Sequence, residues 1–320
     1  MRLWRNHGPR LLLAGGFVLL LVAGILAVTL RPSRTTVKTV TITVPSRTTT
    51  QQTTTAATTT QPAPPPPPQV AMSWDNGGGI VWHPDDVDPS WLGQQMRSAG
   101  FGWLAVYLGE NDSTTPPDTN WIARFRAASG LPIGGWSVLG VDPAKDATDA
   151  AQLIRQDGLA FYIADAELPY GYTVNSKHST TRFARSRIFV STFRRLEPEL
   201  PSGISSYCRP DQHDLDWGAW ARAGFVFLPQ AYVNDFGAAA APAACTSGAA
   251  SFFPKSQVHP TVGSYSGVLG FVDPRRYAQL LSQAGTTGFS IYPAEVGMSV
   301  QNWQAYGQAI ATMQIANRAQ

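Results

Sequence analysis

Beyond residue 70 the chain repeats one phrase. A stretch with apolar residues at helical spacing ends in a glycine, and a short apolar run follows. The glycines are Gly100, Gly130, Gly158, Gly224 and Gly285, and the runs after them read FGWLAVYLG, LPIGGWSVLG, LAFYIADAE, FVFLPQAY and TTGFSIYPAE. Glycine one residue past a helix end takes the left-handed conformation cheaply. Helix then strand, repeated, predicts parallel βα units.

Eight strands are predicted: Gly79–His83, Trp103–Leu108, Ile133–Leu139, Leu159–Ala164, Gly203–Tyr207, Phe225–Pro229, Thr261–Tyr265 and Phe289–Tyr292. Helices are predicted from Pro89 (capped by Asp88), from Asp118 (with Trp121, Ile122 and Phe125 on one face), and over 146–156, 179–196, 214–223, 274–284 and 300–316. Residues 234–257 are rich in Ala, Gly and Pro and predict only a short helix. Alternation of this kind over residues 71–320 predicts an α/β protein, a closed (β/α)8 TIM barrel rather than an open doubly wound sheet. No G-x-G-x-x-G or Walker pattern follows the first strand, which disfavours a nucleotide.

The pattern upstream is different. Residues 1–10 form a basic tail with Arg2, Arg5 and Arg10, and residues 11–30 are apolar and uncharged. About 20 apolar residues span a bilayer as a helix, and the preceding arginines predict that the tail is cytoplasmic. Val28-Thr29-Leu30 is a poor cleavage site, which favours an uncleaved transmembrane signal-anchor over a cleaved signal peptide. Either reading places the rest of the chain outside the cytoplasm. Residues 31–70 are mostly Thr, Pro, Gln and Val and close with Pro64 to Pro68, predicting a disordered stalk ending in a stiff polyproline spacer.

Composition narrows the partners. The net charge of +3 makes no electrostatic case for nucleic acid. The basic run Arg182, Arg185, Arg187, Arg194 and Arg195 reads as a solvated helix face, or more sharply as a contact for anionic wall polymer. An exported chain with two cysteines predicts a disulfide, Cys208 to Cys245, tying two loops; two buried thiols are the alternative. No His/Cys cluster suggests zinc. No cofactor is implied, and a monomer is expected.

Barrels place chemistry at the carboxyl ends of their strands. One strand ends in Asp165-Ala166-Glu167. Residues i and i+2 of a strand share a face, so two carboxylates would meet at the mouth, about 6.5–7 Å apart at Cα. Their repulsion and the apolar approach Phe161-Tyr162-Ile163 would raise at least one pKa, as a general acid for glycosidic oxygen requires. An acidic loop is the plain alternative.

Other strand ends offer His83, Glu110, Asp112, Trp136, Ser137, Gln230, Tyr232, Ser264, Tyr265, Tyr292 and Glu295. His83 reads as structural or substrate-contacting rather than metal-binding. Trp136 fits core packing as well as stacking on a sugar. Tyr232 beside Gln230 supplies directional donors, and Glu110 or Glu295 offers a second carboxylate if Asp165 only orients substrate. No G-x-S-x-G elbow is present.

The Asp-x-Glu within YIADAE, at the end of a fourth barrel strand, resembles glycoside hydrolase families acting on N-acetylated sugars: chitinase-like enzymes and the family 25 cell-wall lysozymes. The resemblance implies Glu167 as general acid, with Asp165 orienting the substrate's acetamido group or stabilising developing charge. The chain departs from both patterns. Ile163 stands where the chitinase-like motif has a further Asp, and the first strand, IVWHP, lacks the Asp of the lysozyme family, Asp85 and Asp86 coming later. A barrel that binds wall glycan without hydrolysing it is the alternative expectation.

Overall fold

The computed structural model of the chain describes residues 71–110, 113–114, 118–167, 180–210, 213–295 and 298–318. The tail 1–10, the apolar run 11–30, the linker 31–70 and Asp112 lie outside the described residues. Among the described residues no helix is long and apolar enough to cross a membrane.

In chain order the strands are β1 (Gly77–Val81), β2 (Trp103–Glu110), β3 (Ser113–Thr114), β4 (Ile133–Val138), β5 (Tyr162–Asp165), β6 (Ser202–Tyr207), β7 (Phe225–Gln230), β8 (Thr261–Gly263), β9 (Ser266–Gly267), β10 (Gly270–Phe271) and β11 (Phe289–Tyr292). The helices are α1 (Pro89–Ser98), α2 (Thr119–Ser129), α3 (Pro143–Gln156), α4 (Thr180–Leu196), α5 (Trp217–Arg222), α6 (Val233–Phe236), α7 (Pro242–Ala249), α8 (Pro274–Ala284) and α9 (Val300–Arg318). The strands β1, β2, β4, β5, β6, β7, β8 and β11 pair in parallel with their neighbours, and β1 pairs with both β2 and β11, so the ring closes. This is the expected (β/α)8 barrel. The strand β3 folds back antiparallel on the end of β2, and β9 and β10 form a hairpin after β8.

Capping follows the sequence. Asp88 accepts from the Trp91 N–H at 2.8 Å and Asp118 from the Asn120 N–H at 2.9 Å. Gly130 (φ 69°) and Gly285 (φ 59°) end α2 and α8 in the left-handed region. There a side chain would clash with the following carbonyl.

Two apolar layers flank the sheet. The outer one packs the helices on the strands. The inner one fills the barrel with Ile80, Trp103, Ala105, Trp136, Phe161, Ile163 and Leu228. Trp74 closes the amino-terminal end, edge-on to Trp103 and Phe161 at 5.4 Å each. The interior is built from a few large rings opposed by glycine. A Cβ on Gly78 would lie 2.0 Å from the Trp103 ring, and one on Gly134 would lie 2.3 Å from Phe161.

That exchange explains one shifted boundary. The first strand starts at Gly77 rather than Gly79, because Trp103 supplies the bulk that the Gly77–Gly79 run lacks. The strand β5 starts at Tyr162 rather than Leu159, since the Leu159 N–H still closes the preceding helix on the Ile154 carbonyl at 2.8 Å. The strand β8 stops at Gly263, leaving Ser264 and Tyr265 outside it; the Asn234 side chain lies over Gly263 and donates to the Tyr265 carbonyl at 3.3 Å.

The bridge between Cys208 and Cys245 is formed, with a Cα separation of 4.6 Å. Cys245 lies on α7, not on a loop as its Ala/Gly-rich surroundings suggest. The basic helix is only partly a solvated face. Arg187 pairs with Asp216, and Arg194 lies 4.4 Å over the Phe225 ring while donating to the carbonyls of Ala223 and Leu200.

Candidate active site at the carboxyl mouth of the barrel

Asp165 ends β5 with its main chain fixed on both sides. Its carbonyl accepts from the Leu139 N–H at 3.0 Å. The next residue, Ala166, donates its N–H to the Ser205 carbonyl at 2.8 Å and accepts the Ser206 hydroxyl at 2.6 Å. Ala166 is buried on the outer side. By strand alternation Asp165 and Glu167 share the inner side.

Gln230, at the end of β7, joins them. Its Nε2 donates to Asp165 Oδ1 at 3.2 Å and to Glu167 Oε1 at 2.5 Å. Asp165 and Gln230 are only 8% and 6% exposed. Burial pushes the Asp165 carboxyl well above the usual carboxylate range, and the Glu167 charge beside it pushes the same way; hydrogen bonds from Ser205 and Gln230 oppose this in part. Burial also raises Glu167, again opposed by Gln230. The pair therefore holds a proton at a pH where solvated carboxyls have lost theirs.

Tyrosines wall the mouth. Tyr232 stacks on Tyr292 with centroids 6.0 Å apart, and Tyr265 stands edge-on to both at 6.1 and 6.4 Å. Trp136 lies edge-on to Tyr292 at 6.0 Å and donates its indole N–H to the Val81 carbonyl at 2.8 Å. Burial, then neighbouring phenol and carboxylate groups, hold the Tyr232 hydroxyl well above its ordinary pKa, and Tyr292 is raised for the same kinds of reason. Both are neutral donors over the physiological range.

No protein-family model matches the sequence, and no curated protein sequence matches it. Solved structures do. The chain is similar to the glycoside hydrolase domain of PgaB (BpsB) from Bordetella bronchiseptica, with 11% identity and a TM-score of 0.50 over 75% of this chain and 98% of that one. It is also similar to active domain 2 of the thermostable chitinase from Pyrococcus furiosus, with 10% identity and a TM-score of 0.54 over 78% and 98%. The barrel shares its fold with glycoside hydrolase domains. The galactosidase domain of the α-galactosidase–sucrose kinase AgaSK adds a third case, at 12% identity and a TM-score of 0.51 over 76% of this chain and 40% of that one.

The structure brings Asp165, Glu167, Gln230, Tyr232, Tyr265, Tyr292 and Trp136 into one network. It gives the other candidates other partners. Glu295 Oε1 accepts the main-chain N–H groups of Trp82 and, at 2.6 Å, His83, so this carboxylate holds the turn after β1. His83 is exposed and stacks against Trp82. Glu110 is exposed at the end of β2, where with burial it raises the Tyr107 hydroxyl. Ser137 points outward to the Tyr162 hydroxyl at 2.7 Å, and Ser264 donates to the Pro293 carbonyl. Among the described residues no three His, Cys, Asp or Glu converge as a metal site would require.

Three residues of the mouth escape a reading by strand ends. Ser205 lies level with Asp165 only through the β5–β6 register. Tyr107 packs on Trp136 at 4.9 Å and Trp82 reaches Tyr292 at 6.4 Å. Both rings were accessible from period 2: Tyr107 follows Trp103 and Ala105 on the inner face, and Trp82 follows Ile80.

Proposed function

We propose that this barrel hydrolyses a glycosidic bond in a cell-wall or extracellular polysaccharide. The observation that carries the reading is the Asp165–Gln230–Glu167 group, a buried and a half-buried carboxyl, both with raised pKa, held by one amide beneath a tyrosine-lined mouth. Glu167, the more exposed of the pair, protonates the leaving oxygen. Asp165, or an acetamido group of the substrate held by Asp165 and Tyr232, stabilises the oxocarbenium-like centre.

The N-terminal apolar run anchors the chain in a membrane, and a monomeric barrel works outside the cytoplasm.

The test is release of reducing ends from purified peptidoglycan and chitin oligosaccharides by the full chain in detergent, beside Glu167→Gln. A loss of about a hundredfold or more in the variant is expected for a general acid. Glycan retention without turnover by the wild type would favour the binding-module reading, which draws its support from the way Gln230 already occupies both carboxylates. Neither turnover nor binding would sink both.

A further inference from the structure

The turn after β1 carries a feature that packing does not explain. Trp82 is 40% exposed, whereas Trp103, Trp220 and Trp303 are fully buried. Its ring is not loose. It lies nearly parallel to His83, with centroids 4.6 Å apart and planes at 21°.

The main chain beneath it is fixed at each step. Ile80 accepts the Ala294 N–H at 2.7 Å, and Val81 accepts the Trp136 indole N–H at 2.8 Å. The N–H groups of Trp82 and His83 both donate to one oxygen of Glu295. A carboxylate taken up by two consecutive amides is a clamp on that backbone, and what it orients is the exposed ring pair.

The ring pair also joins the site. Trp82 lies 6.4 Å from Tyr292, which in turn lies 6.0 Å from Tyr232. Tyr232 and Tyr292 both lie within the electrostatic reach of Asp165 and Glu167. The aromatic surface therefore runs from the two carboxyls outward over the end of β1, and its outer end is a flat indole face open to solvent.

We propose that Trp82 forms an outer sugar subsite, with Glu295 and His83 as its positioning residues, and that the substrate is a linear glycan of several units whose chain leaves the mouth over β1. The inference rests on the reading of the mouth as a glycan site. An indole face offers a pyranose ring dispersion contact with its axial C–H groups, and the clamp removes the ordering cost at binding. On this proposal a short ligand seated at the carboxyls leaves the Trp82 face uncovered, whereas a longer chain covers it. Affinity should accordingly rise with chain length, and Trp82 should account for the rise.

The experiment is calorimetric titration of the full chain in detergent with N-acetylglucosamine oligomers graded from dimer to hexamer. Glu167→Gln serves as background in every arm, so that substrate is not consumed. Trp82→Ala is expected to leave the dimer's affinity unchanged and to weaken the hexamer by about tenfold, flattening the dependence on length. Trp82→Phe should restore part of it, and Glu295→Gln should act in the same direction as Trp82→Ala.

Equal weakening at every length would overturn the subsite, because a merely structural role moves all lengths together. Unchanged affinity at every length would overturn it as well. Length-dependent binding by a protein whose wild type shows no turnover would keep Trp82 and remove hydrolysis. A protein that binds none of these oligomers, nor peptidoglycan strands, would overturn the glycan reading and the subsite with it.

Discussion

Seating the Asp165 carboxyl out of water beside Glu167 costs stability at neutral pH, and the cost has a definite sign. Both groups have folded pKa values above their unfolded ones. Below the ordinary carboxylate range both are protonated in either state and nothing is lost. As pH rises from there toward the raised values, the unfolded chain releases its protons first and the native state loses stability. Each unit of upward shift is worth about 1.4 kcal/mol. Asp165→Asn removes the larger part of this penalty while keeping a group that can bond to Ser205 and Gln230. The variant is expected to melt above the wild type at pH 7 and to coincide with it near pH 3. A deficit of equal size at both pH values would mean that Asp165 acts through packing instead. The pair itself was legible from sequence, since i and i+2 of any strand share a face. Its bridge was not: Gln230 lies 65 positions away from Asp165, and only the pairing of β5, β6 and β7 brings it over both carboxylates. Glu295 was misleading for the same reason. Its partners at β1 are more than 200 positions distant, so it read as a free carboxylate at a strand end.

At the scale of elements, the strands were readable, and the bounds slipped where a strand takes its bulk from a neighbour, as β1 does. The run FSIY gives β11 with the bounds its pattern predicts. The run GGGIV gives β1 from Gly77, two residues before the predicted start at Gly79. What makes it a strand is Trp103, whose ring takes the space over Gly78. Gly78→Ala would bring a methyl to 2.0 Å from that ring in a layer already filled by Ile80, Trp136 and Phe161. Overpacking of this kind costs about 1–3 kcal/mol, and the expected result is an urea midpoint shifted down with an unchanged slope. An unaltered midpoint would show that Trp103 can move aside and that the glycines serve some other end. Helix caps were the most reliable signals, because Asp88, Asp118, Gly130 and Gly285 act on main chain within a few residues. The fate of Cys245 shows the opposite case. Its segment is poor in helix-forming periodicity, yet Pro242 starts a helix there and the bridge to Cys208 ties that helix to the end of β6.

For the molecule as a whole, the ring has a seam. The first strand is clasped between β2 and β11, with Gly77 opposite Phe289. Three of its five residues are glycines. During synthesis it emerges early, is offered β2 soon after, and must then wait for almost the entire barrel before its other edge is met. Long-range pairing of this kind is slow because the loop must close before any contact rewards it. Until then the chain presents two unsatisfied strand edges, one on β1 and one on β8, and edges of that sort recruit other chains. A chain stopped at Gly288, which loses β11 and with it the α9 core residues Trp303, Tyr306 and Ile310, should therefore not persist as a seven-stranded version of the fold. Expressed beside the full-length protein, it is expected to sediment as aggregate, and recovery of a soluble monomer would show that the seam is not what completes the structure. The last four-residue strand thus acts as the latch of the whole protein, and the quality of every earlier unit is withheld until it arrives.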